Sequence, residues 1–291
     1  MNRYELDRLA DLRRWQLQPP PPAGRWFNKA AGPTSQAVQT LIPAEALRVA
    51  LSAVQTTASR FAGQATLLRQ ARVERVEDLL DVELEQCDAL AARVRRRSMV
   101  MAGGTGAVLG IAGAAGMIAD VPALLLLAFR TIQRTALCYG QPLVGERGRR
   151  LSTAIFALAS ANSVEEKQVA LQVIAQGAGS DSADAAWRDG IERAAERELA
   201  KEAAFMSLNN LALQAGKHLG WRKASGAMPV VGAVIGGSVN GWYLYDLSNV
   251  ARYCFTERWL RHRYGELPDA IAVDDLPRLP SANDNGLGTN P

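Results

Sequence analysis

The sequence is poor in the residue types from which most catalytic and metal sites are built. Among its 291 residues there are three cysteines, without a CxxC pair, and two histidines, without an HExxH motif. Neither a zinc site nor a disulfide framework is therefore predicted. A GxSxG turn of the kind that presents a nucleophilic serine is also missing. We accordingly predict no metal, no cofactor and no catalytic residue.

The few cysteines and histidines are expected to be structural or on the surface. Cys87, Cys138 and Cys254 fall in apolar helical patterns, which predicts buried free thiols. His218 and His262 each follow a basic residue and have no cysteine or acidic pair at metal-ligand spacing. Surface positions are predicted for both.

Segments of alternating apolar and polar residues that would predict strands are also missing. Hydrophobic residues make up 48% of the chain, and alanine, leucine and valine supply much of that share. Because alanine and leucine are strong helix formers, we predict an all-α multi-helix bundle with little or no sheet. The net charge of +4 is mild, and the basic residues form no stripe interleaved with aromatics, so nucleic acid is not a predicted partner.

Composition divides the chain into three predicted regions. Residues 1–40 contain an amphipathic helix over residues 2–17 and a stiff linker around Pro19–Pro22. Residues 41–265 form the helical domain, and residues 266–291, rich in proline and small polar residues, form a disordered tail. No apolar signal-peptide core is present at the N-terminus, so we expect a cytoplasmic protein. The predicted apolar stripe of the first helix is Leu6, Leu9, Leu12 and Trp15.

Two glycine-rich runs with matching spacing are the most distinctive feature. The first run, Met99–Phe129, contains no lysine or arginine, and its one formal charge is Asp120. Its segment GAVLG, Gly106–Gly110, is echoed by GAVIG at Gly232–Gly236. Asp120 and Asp246 each follow the first glycine of their segment by 14 positions. This predicts an internal pseudo-repeat of one helical element, or convergence on one packing solution.

Glycine inside a helix costs roughly 1 kcal/mol relative to alanine, so these runs need an offsetting gain. Glycines four positions apart share one helix face, where another backbone can approach closely. One interpretation is a pair of central helices packed against each other; another is a membrane-inserting element, since residues 98–119 are uncharged and long enough to span. A nucleotide loop is not supported, because no strand precedes the run. The predicted close-packing glycines are Gly106, Gly110, Gly232 and Gly236.

Helix boundaries are predicted from capping residues. Asp120, with Pro122 two positions later, predicts the start of a helix that Gly140 ends. Ser163 and Glu166 predict a capping box. The last helix is predicted over Trp242 to Tyr264.

Residues 73–97 predict one long amphipathic helix that ends in a basic cluster. Cations stabilise a helix C-terminus, which is one account of the cluster. The other account is contact with an anionic surface, such as a lipid membrane, beside the apolar run. The cluster consists of Arg93, Arg95, Arg96 and Arg97.

The acidic residues of the two runs are candidate site residues. One interpretation makes Asp120 a helix cap and Asp246 a member of a buried ion pair. The other brings both acids and Asn240 to one polar spot that binds a head group, a cation or a proton. The candidate partners of Asp246 in the ion pair, which are also candidates for contact with a ligand or lipid, are Arg130, Arg134 and Arg252.

These motifs resemble the EcsC family over about residues 45–264. The resemblance rests on Ala119-Asp120-Val-Pro122-Ala-Leu, on Tyr139-Gly140, and on Pro229-Val-Val-Gly232-Ala-Val-Ile-Gly236-Gly-Ser-Val-Asn240 before an arginine-bearing helix. It implies a cytoplasmic, membrane-associated helical protein of a family named for its association with an ABC-transporter operon. It implies no catalytic residues.

The leading prediction is a non-enzymatic protein, peripheral on the inner face of the membrane. Its predicted partner is the membrane surface or a membrane protein. One predicted form of this binding is a lipid held in a cavity between the helices. Two alternatives stay open. One is an enzyme acting on a lipid-like substrate at Asp120, Asn240 and Asp246, and the other is a structural scaffold whose glycine runs serve only packing.

Overall fold

The computed structural model describes residues 1–20, 63–111, 114–161, 163–175 and 228–268, and for residues 103–124 and 228–240 it describes the course of the helices without their side chains. Within these ranges the chain forms α-helices and one 3₁₀ turn, and no strand occurs. The prediction of an all-α fold is therefore confirmed. The helices are α1 (Arg3–Leu17), α2 (Gln64–Ala71), α3 (Leu84–Ile111), α4 (Ala114–Cys138), α5 (Gly145–Ser160), α6 (Val164–Ala175) and α7 (Met228–Tyr264), with the 3₁₀ turn at Glu77–Leu80.

Helices α3 and α7 pack against each other at the centre and run antiparallel. A Cβ atom added to Gly241 would lie 3.7 Å from the carbonyl oxygen of Met99. Further along α7, Arg252 reaches Asp88, eleven positions earlier in α3 than Met99. As numbering rises in α7 it falls in α3, so the start of α7 and the end of α3 lie at the same end of the bundle. Helix α4 packs against both.

The core is filled from every layer of the bundle, including the N-terminal helix. In α1, Leu9 and Leu12 are fully buried, as the sequence predicts, whereas Leu6 is 37% exposed and does not belong to the buried stripe. The rings of Phe129 in α4 and Phe156 in α5 stack with centroids 5.3 Å apart. The largest fully buried side chains are Trp259, Tyr139, Phe129, Phe156, Phe255, Leu9, Leu12, Leu79, Leu84, Ile132 and Ile155.

Several local predictions are confirmed. The Glu166 amide donates to the Ser163 hydroxyl at 3.2 Å, and the Ser163 amide donates to the Glu166 carboxylate at 3.3 Å, which completes the capping box before α6. All three cysteines are buried and free. His262 is exposed.

The helix boundaries around the glycine runs differ from the predictions. Helix α4 begins at Ala114, so the prediction that a helix starts at Asp120 is wrong. Helix α7 begins at Met228 rather than Trp242 and contains the second glycine run. In α4, the alanines before Asp120 favour an earlier helix start. In α7, packing against α3 and α4 outweighs the low helix propensity of the glycine and valine residues before Trp242.

The predicted helix over residues 73–97 is also corrected. Its first part is a 3₁₀ turn, and α3 begins only at Leu84. Helix α3 then continues to Ile111, so the arginines from Arg93 to Arg97 lie in the middle of a helix. A helix C-terminus therefore does not account for them. The domain boundary at residue 40, the segments 44–62 and 181–219, His218 and the tail from residue 269 lie outside the described residues.

Gly140 ends α4 where the sequence predicts, and its surroundings show why glycine is needed. Its φ is +72°, in the left-handed region that favours glycine. An added Cβ would lie 2.7 Å from the Leu80 backbone nitrogen. The turn after α4 is thus pressed against the 3₁₀ turn that precedes α3. Gly145 also has a positive φ, +65°, but no heavy atom lies within 4 Å of an added Cβ.

This difference makes Gly140 and Gly145 a matched pair. We expect Gly145→Ala to cost about 1 kcal/mol, the penalty for a left-handed alanine. Gly140→Ala should cost that amount plus roughly 1–3 kcal/mol for displacing the Leu80 backbone. Chemical denaturation of both variants measures the difference. Equal losses of stability would show that the turn does not depend on close contact with Leu80.

Lys167 of α6 holds the C-terminal end of α1. Its ammonium group donates to the carbonyl oxygens of Trp15 and Gln18, the latter at 2.7 Å, and lies over the Trp15 ring. Burial lowers the pKa of Lys167 from its ordinary value of 10.5 to about 8. A neutral amine keeps two N–H donors, one for each carbonyl, so both hydrogen bonds survive deprotonation.

The lowered pKa predicts a pH dependence of stability. Between pH 8 and pH 10.5 the unfolded chain retains a proton that the folded chain has lost. The free energy of unfolding should therefore rise with pH in this window. Unfolding curves at several pH values should show this rise in the native protein and a weaker one in Lys167→Met. Identical profiles for the two proteins would contradict the shift.

Candidate functional site

A buried carboxylate, Asp88 of α3, is the most densely bonded polar group among the described residues. Asp88 is 7% exposed. Tyr4 donates to its Oδ2 at 2.7 Å, and Tyr139 donates to its Oδ1. Arg8 Nε lies 3.0 Å from Oδ2, and Arg252 Nη1 lies 4.0 Å from the same oxygen. One side chain thus connects α1, α3, the end of α4 and α7.

The two phenols both donate to the Asp88 carboxylate. Burial, the hydrogen bond to Asp88 and the charge of that carboxylate together raise the pKa of Tyr4 from its ordinary value of 10 to about 12. Burial and the Asp88 charge raise the pKa of Tyr139 well above 10. Both hydroxyls therefore stay protonated and satisfy the carboxylate, which is how a buried charge is tolerated.

Asp11 of α1 extends the cluster towards solvent. It accepts a hydrogen bond from Tyr253 Oη at 3.1 Å and lies 3.9 Å from Arg252 Nη2. Arg8 Nη1 lies 3.7 Å from the same carboxylate. Arg8 and Arg252 therefore bridge Asp11 and Asp88. The cluster contains two carboxylates and two guanidinium groups, so its formal charges balance.

A cleft of about 430 Å³ lies beside the cluster, between α1, α3 and α7. On its α3 wall, Arg95 Nη1 donates to Asn249 Oδ1 at 2.6 Å, and the guanidinium lies 5.1 Å from the centre of the Tyr245 ring. The carboxylate of Asp88 is occupied by donors and holds the helices together instead of acting as a base. Among the described residues no three potential metal ligands are grouped. The cleft is lined by Tyr4, Arg8, Glu85, Asp88, Ala89, Ala91, Ala92, Arg95, Ser248 and Arg252.

The predicted site residues are distributed between this cluster and the opposite half of the bundle. Of the three arginines predicted to pair with the acids, Arg252 pairs with Asp11 and Asp88. Asp246 is half-buried in α7. Asp120 lies in α4 and Asn240 in α7, and their side chains are outside the described part of the structure. A polar spot shared by these three residues stays a prediction, as does the close packing of Gly106, Gly110, Gly232 and Gly236.

The four arginines of the basic cluster do not face the same surroundings. Arg95 is half-buried and bonded to Asn249, as described above. Arg93, Arg96 and Arg97 are exposed. Val100, 77% exposed, follows them on α3. The solvent-facing part of the cluster therefore consists of three cations beside an exposed apolar side chain.

These three arginines mark a boundary between a charged and an uncharged half of the bundle. Beyond Arg97, no residue of α3 carries a charge, and α7 carries none before Asp246. In α4, Asp120 is the only charge before Arg130. We call the part of the bundle formed by residues 98–111, 114–129 and 228–245 the uncharged end. Among the described helices, none combines the length and the apolar character needed to cross a bilayer.

The importance of Asp88 was missed at the sequence level, although one signal exists. Asp88 follows Leu84 by four positions and precedes Ala91 by three, so it lies on the apolar stripe of α3. A carboxylate on a buried stripe requires partners. The sequence does not show which residues they are, because Tyr4, Tyr139 and Arg252 are distant along the chain.

The fold and the cluster define the class of protein: an all-α bundle whose N-terminal helix is tied to a central antiparallel helix pair by a buried carboxylate. The EcsC protein family model matches residues 7–260. The chain therefore belongs to the EcsC protein family, as its motifs indicate, and the match includes most of α1, which the sequence-based resemblance left outside.

One relative among curated proteins is the uncharacterized protein YdbA of Bacillus subtilis (strain 168), which is 22% identical over 193 residues. The match covers 66% of this chain and 65% of YdbA, so the chain spans just under two thirds of the length of that relative. No solved structure matches the chain.

The Asp88 cluster predicts a graded loss of stability. Asp88→Ala should cost about 3–5 kcal/mol, because it removes the carboxylate from two phenols and two guanidinium groups. Tyr139→Phe should cost about 1.5–3 kcal/mol, the value of one hydrogen bond to a charged group. Denaturant unfolding measures both. Asp81→Asn, an exposed site before α3, serves as the control and should change stability by less than about 0.5 kcal/mol. If Asp88→Ala lost as little stability as the control Asp81→Asn, the role of the cluster would be contradicted.

Proposed function

We propose that this protein is a non-enzymatic peripheral membrane protein whose uncharged end contacts the bilayer surface. The observation that carries the proposal is the charge boundary at Arg97, beyond which the described parts of α3 and α7 carry no charge and α4 carries one, Asp120. The exposed arginines of α3, Arg93, Arg96 and Arg97, attract anionic lipid, and the uncharged end enters the interfacial region. The bilayer surface is thus the partner, and the inner face of the membrane is the proposed location.

The boundary lies at one level because side-chain contacts fix the register of the helices. Thr131 Oγ1 donates to Ser98 Oγ at 2.8 Å, and both side chains are buried. Gly241 lies against the carbonyl of Met99. The first uncharged turn of α3 is therefore beside the first charged turn of α4 and close to the corresponding part of α7.

The length of the uncharged end favours insertion into one leaflet. Helix α7 has thirteen residues before Gly241, and α3 has twelve after Met99. At 1.5 Å per residue these segments are about 20 Å long. The hydrocarbon core of a bilayer is about 30 Å thick. The uncharged end is too short to cross it and long enough to bury its tip below the head groups.

Exposed apolar side chains occur near the charge boundary, at the level where a peripheral membrane protein contacts the lipid head groups. Trp242, which follows Gly241 in α7, is 57% exposed. Val100 of α3 is at nearly the same level and is 77% exposed. Tryptophan favours the interface between head groups and hydrocarbon, where its apolar ring and polar N–H are both accommodated. Trp242 and the arginines of α3 thus form an interfacial collar.

Vesicle flotation tests the proposal. The native protein should float with vesicles of phosphatidylcholine mixed with phosphatidylglycerol, and less with phosphatidylcholine alone. Each basic residue near an anionic surface contributes about 1 kcal/mol, so the triple variant Arg93→Gln, Arg96→Gln, Arg97→Gln should bind roughly 100-fold more weakly. Added salt should likewise weaken the binding of the native protein to anionic vesicles.

The control is a triple variant with the same loss of charge at the other end of the bundle. Arg3, Arg147 and Arg261 are exposed and lie away from the uncharged end. Replacing these three with glutamine should leave most vesicle binding in place. Equal losses in the two triple variants would show that net charge, and not the collar, governs binding. A native protein that floats with no anionic vesicle would refute the proposal.

A further inference from the structure

Three arginines at the charge boundary converge from two helices. Arg130 and Arg134 are one turn apart on α4 and half-buried. Arg97 of α3 precedes Ser98, which accepts the hydrogen bond from Thr131, the neighbour of Arg130. That bond brings the polar edges of the two helices together. We call Arg97, Arg130 and Arg134 the arginine triad.

Within the described residues, the triad has no carboxylate partner of the kind that Arg8 and Arg252 have. Arg8 and Arg252 share the carboxylates of Asp11 and Asp88. In the described part of the chain, no carboxylate lies within ion-pair distance of the triad. Burial lowers the pKa of Arg134, and the charges of Arg130 and Arg97 lower it further. Three cations are thus held near one another against their repulsion, which costs stability unless an anion joins them.

The start of α2 adds a further positive group. Gly63 precedes α2, and no side chain caps the helix there. An added Cβ at Gly63 would lie 3.1 Å from Arg134 Nη1, so the guanidinium lies directly against this helix start. The first N–H groups of a helix carry partial positive charge. A carboxylate is the usual neighbour of a helix N-terminus, but the neighbour of this one is the guanidinium of Arg134.

From this geometry we infer that the arginine triad is a binding site for a phosphoryl group, with preference for a phosphomonoester. Guanidinium groups match phosphate oxygens in charge and geometry. A phosphomonoester carries nearly two negative charges at neutral pH, so it compensates three cations better than a phosphodiester with one. The triad lies at the charge boundary, where lipid phosphates would be. The inference that the phosphoryl group belongs to a lipid rests on the proposed function. The inference that it belongs to a soluble molecule does not.

Calorimetric titration with glycerol 3-phosphate at about pH 8 and low salt tests the site directly. The native protein should bind it, and dimethyl phosphate, a phosphodiester, should bind on the order of tenfold more weakly. Arg134→Gln should lower the affinity for glycerol 3-phosphate by at least about tenfold. Arg147→Gln, which removes an exposed charge away from the triad, should leave it unchanged. Affinity should fall as the pH drops below about 6, where the phosphomonoester gains a proton.

Vesicles distinguish the source of the phosphoryl group. Phosphatidic acid presents a phosphomonoester and phosphatidylglycerol a phosphodiester, and the two are compared at equal surface charge. A preference for phosphatidic acid that Arg134→Gln abolishes would support a lipid ligand. Binding of glycerol 3-phosphate without this preference would support a soluble ligand. The absence of both glycerol 3-phosphate binding and a preference for phosphatidic acid would overturn the inference. In that case, binding to both kinds of vesicle that depends on Arg93, Arg96 and Arg97 would leave the proposed function intact.

The stability of the protein without ligand provides an independent readout. If the triad is an uncompensated cation cluster, Arg134→Gln should leave the melting temperature unchanged or raise it in phosphate-free buffer. Added glycerol 3-phosphate should then raise the melting temperature of the native protein more than that of the variant. A melting temperature several degrees below that of the native protein would show that Arg134 serves the fold, and would overturn the inference.

Discussion

The carboxylate of Asp88 is the interaction on which the arrangement of the bundle depends. It is nearly inaccessible to water, and it is stabilised because groups from α1 and the end of α4 donate to it and Arg252 of α7 lies within ion-pair distance. A buried charge without such partners would be strongly unfavourable, so the partners and the helices that carry them must be placed together. Helix α1 is consequently part of the fold. Its Glu5 also accepts a hydrogen bond from Tyr264 at 2.7 Å, at the far end of α7.

Charge compensation differs between the two halves of the bundle. Around Asp88 the cations and anions alternate, and Arg8 and Arg252 each approach two carboxylates. At the boundary with the uncharged end, Arg130 and Arg134 have no such partner among the described residues. Proteins commonly give up stability where a ligand is to be bound, because the binding partner supplies the missing interaction. The contrast between the two halves connects the fold to the proposed membrane contact, since uncompensated cations and exposed Trp242 occur at the same boundary.

Local sequence signals were reliable where a single turn decides the outcome, and unreliable where a whole helix does. The capping box of Ser163 and Glu166 and the left-handed turn at Gly140 depend on residues a few positions apart, and both were predicted. Asp120 carries the same kind of start signal, yet α4 begins six residues earlier. Helix α3 likewise continues through Arg97 to Ile111. In these long elements, alanine-rich sequence and packing between helices outweigh the preference of one cap residue.

The sequence by itself determined the helical class, the burial of the cysteines and the family to which the chain belongs, because composition, periodicity and short motifs encode them. It also determined that the two glycine-rich runs contain no basic residue and that Asp120 is the one formal charge of the first run. Only the tertiary structure decided which charges are compensated. Asp88 meets Tyr4 and Tyr139 across 84 and 51 positions of chain, and Arg252 approaches it from α7. No periodicity specifies such pairs, since they depend on how the helices are packed. That same packing places Arg134 beside Gly63, where no carboxylate among the described residues pairs with it.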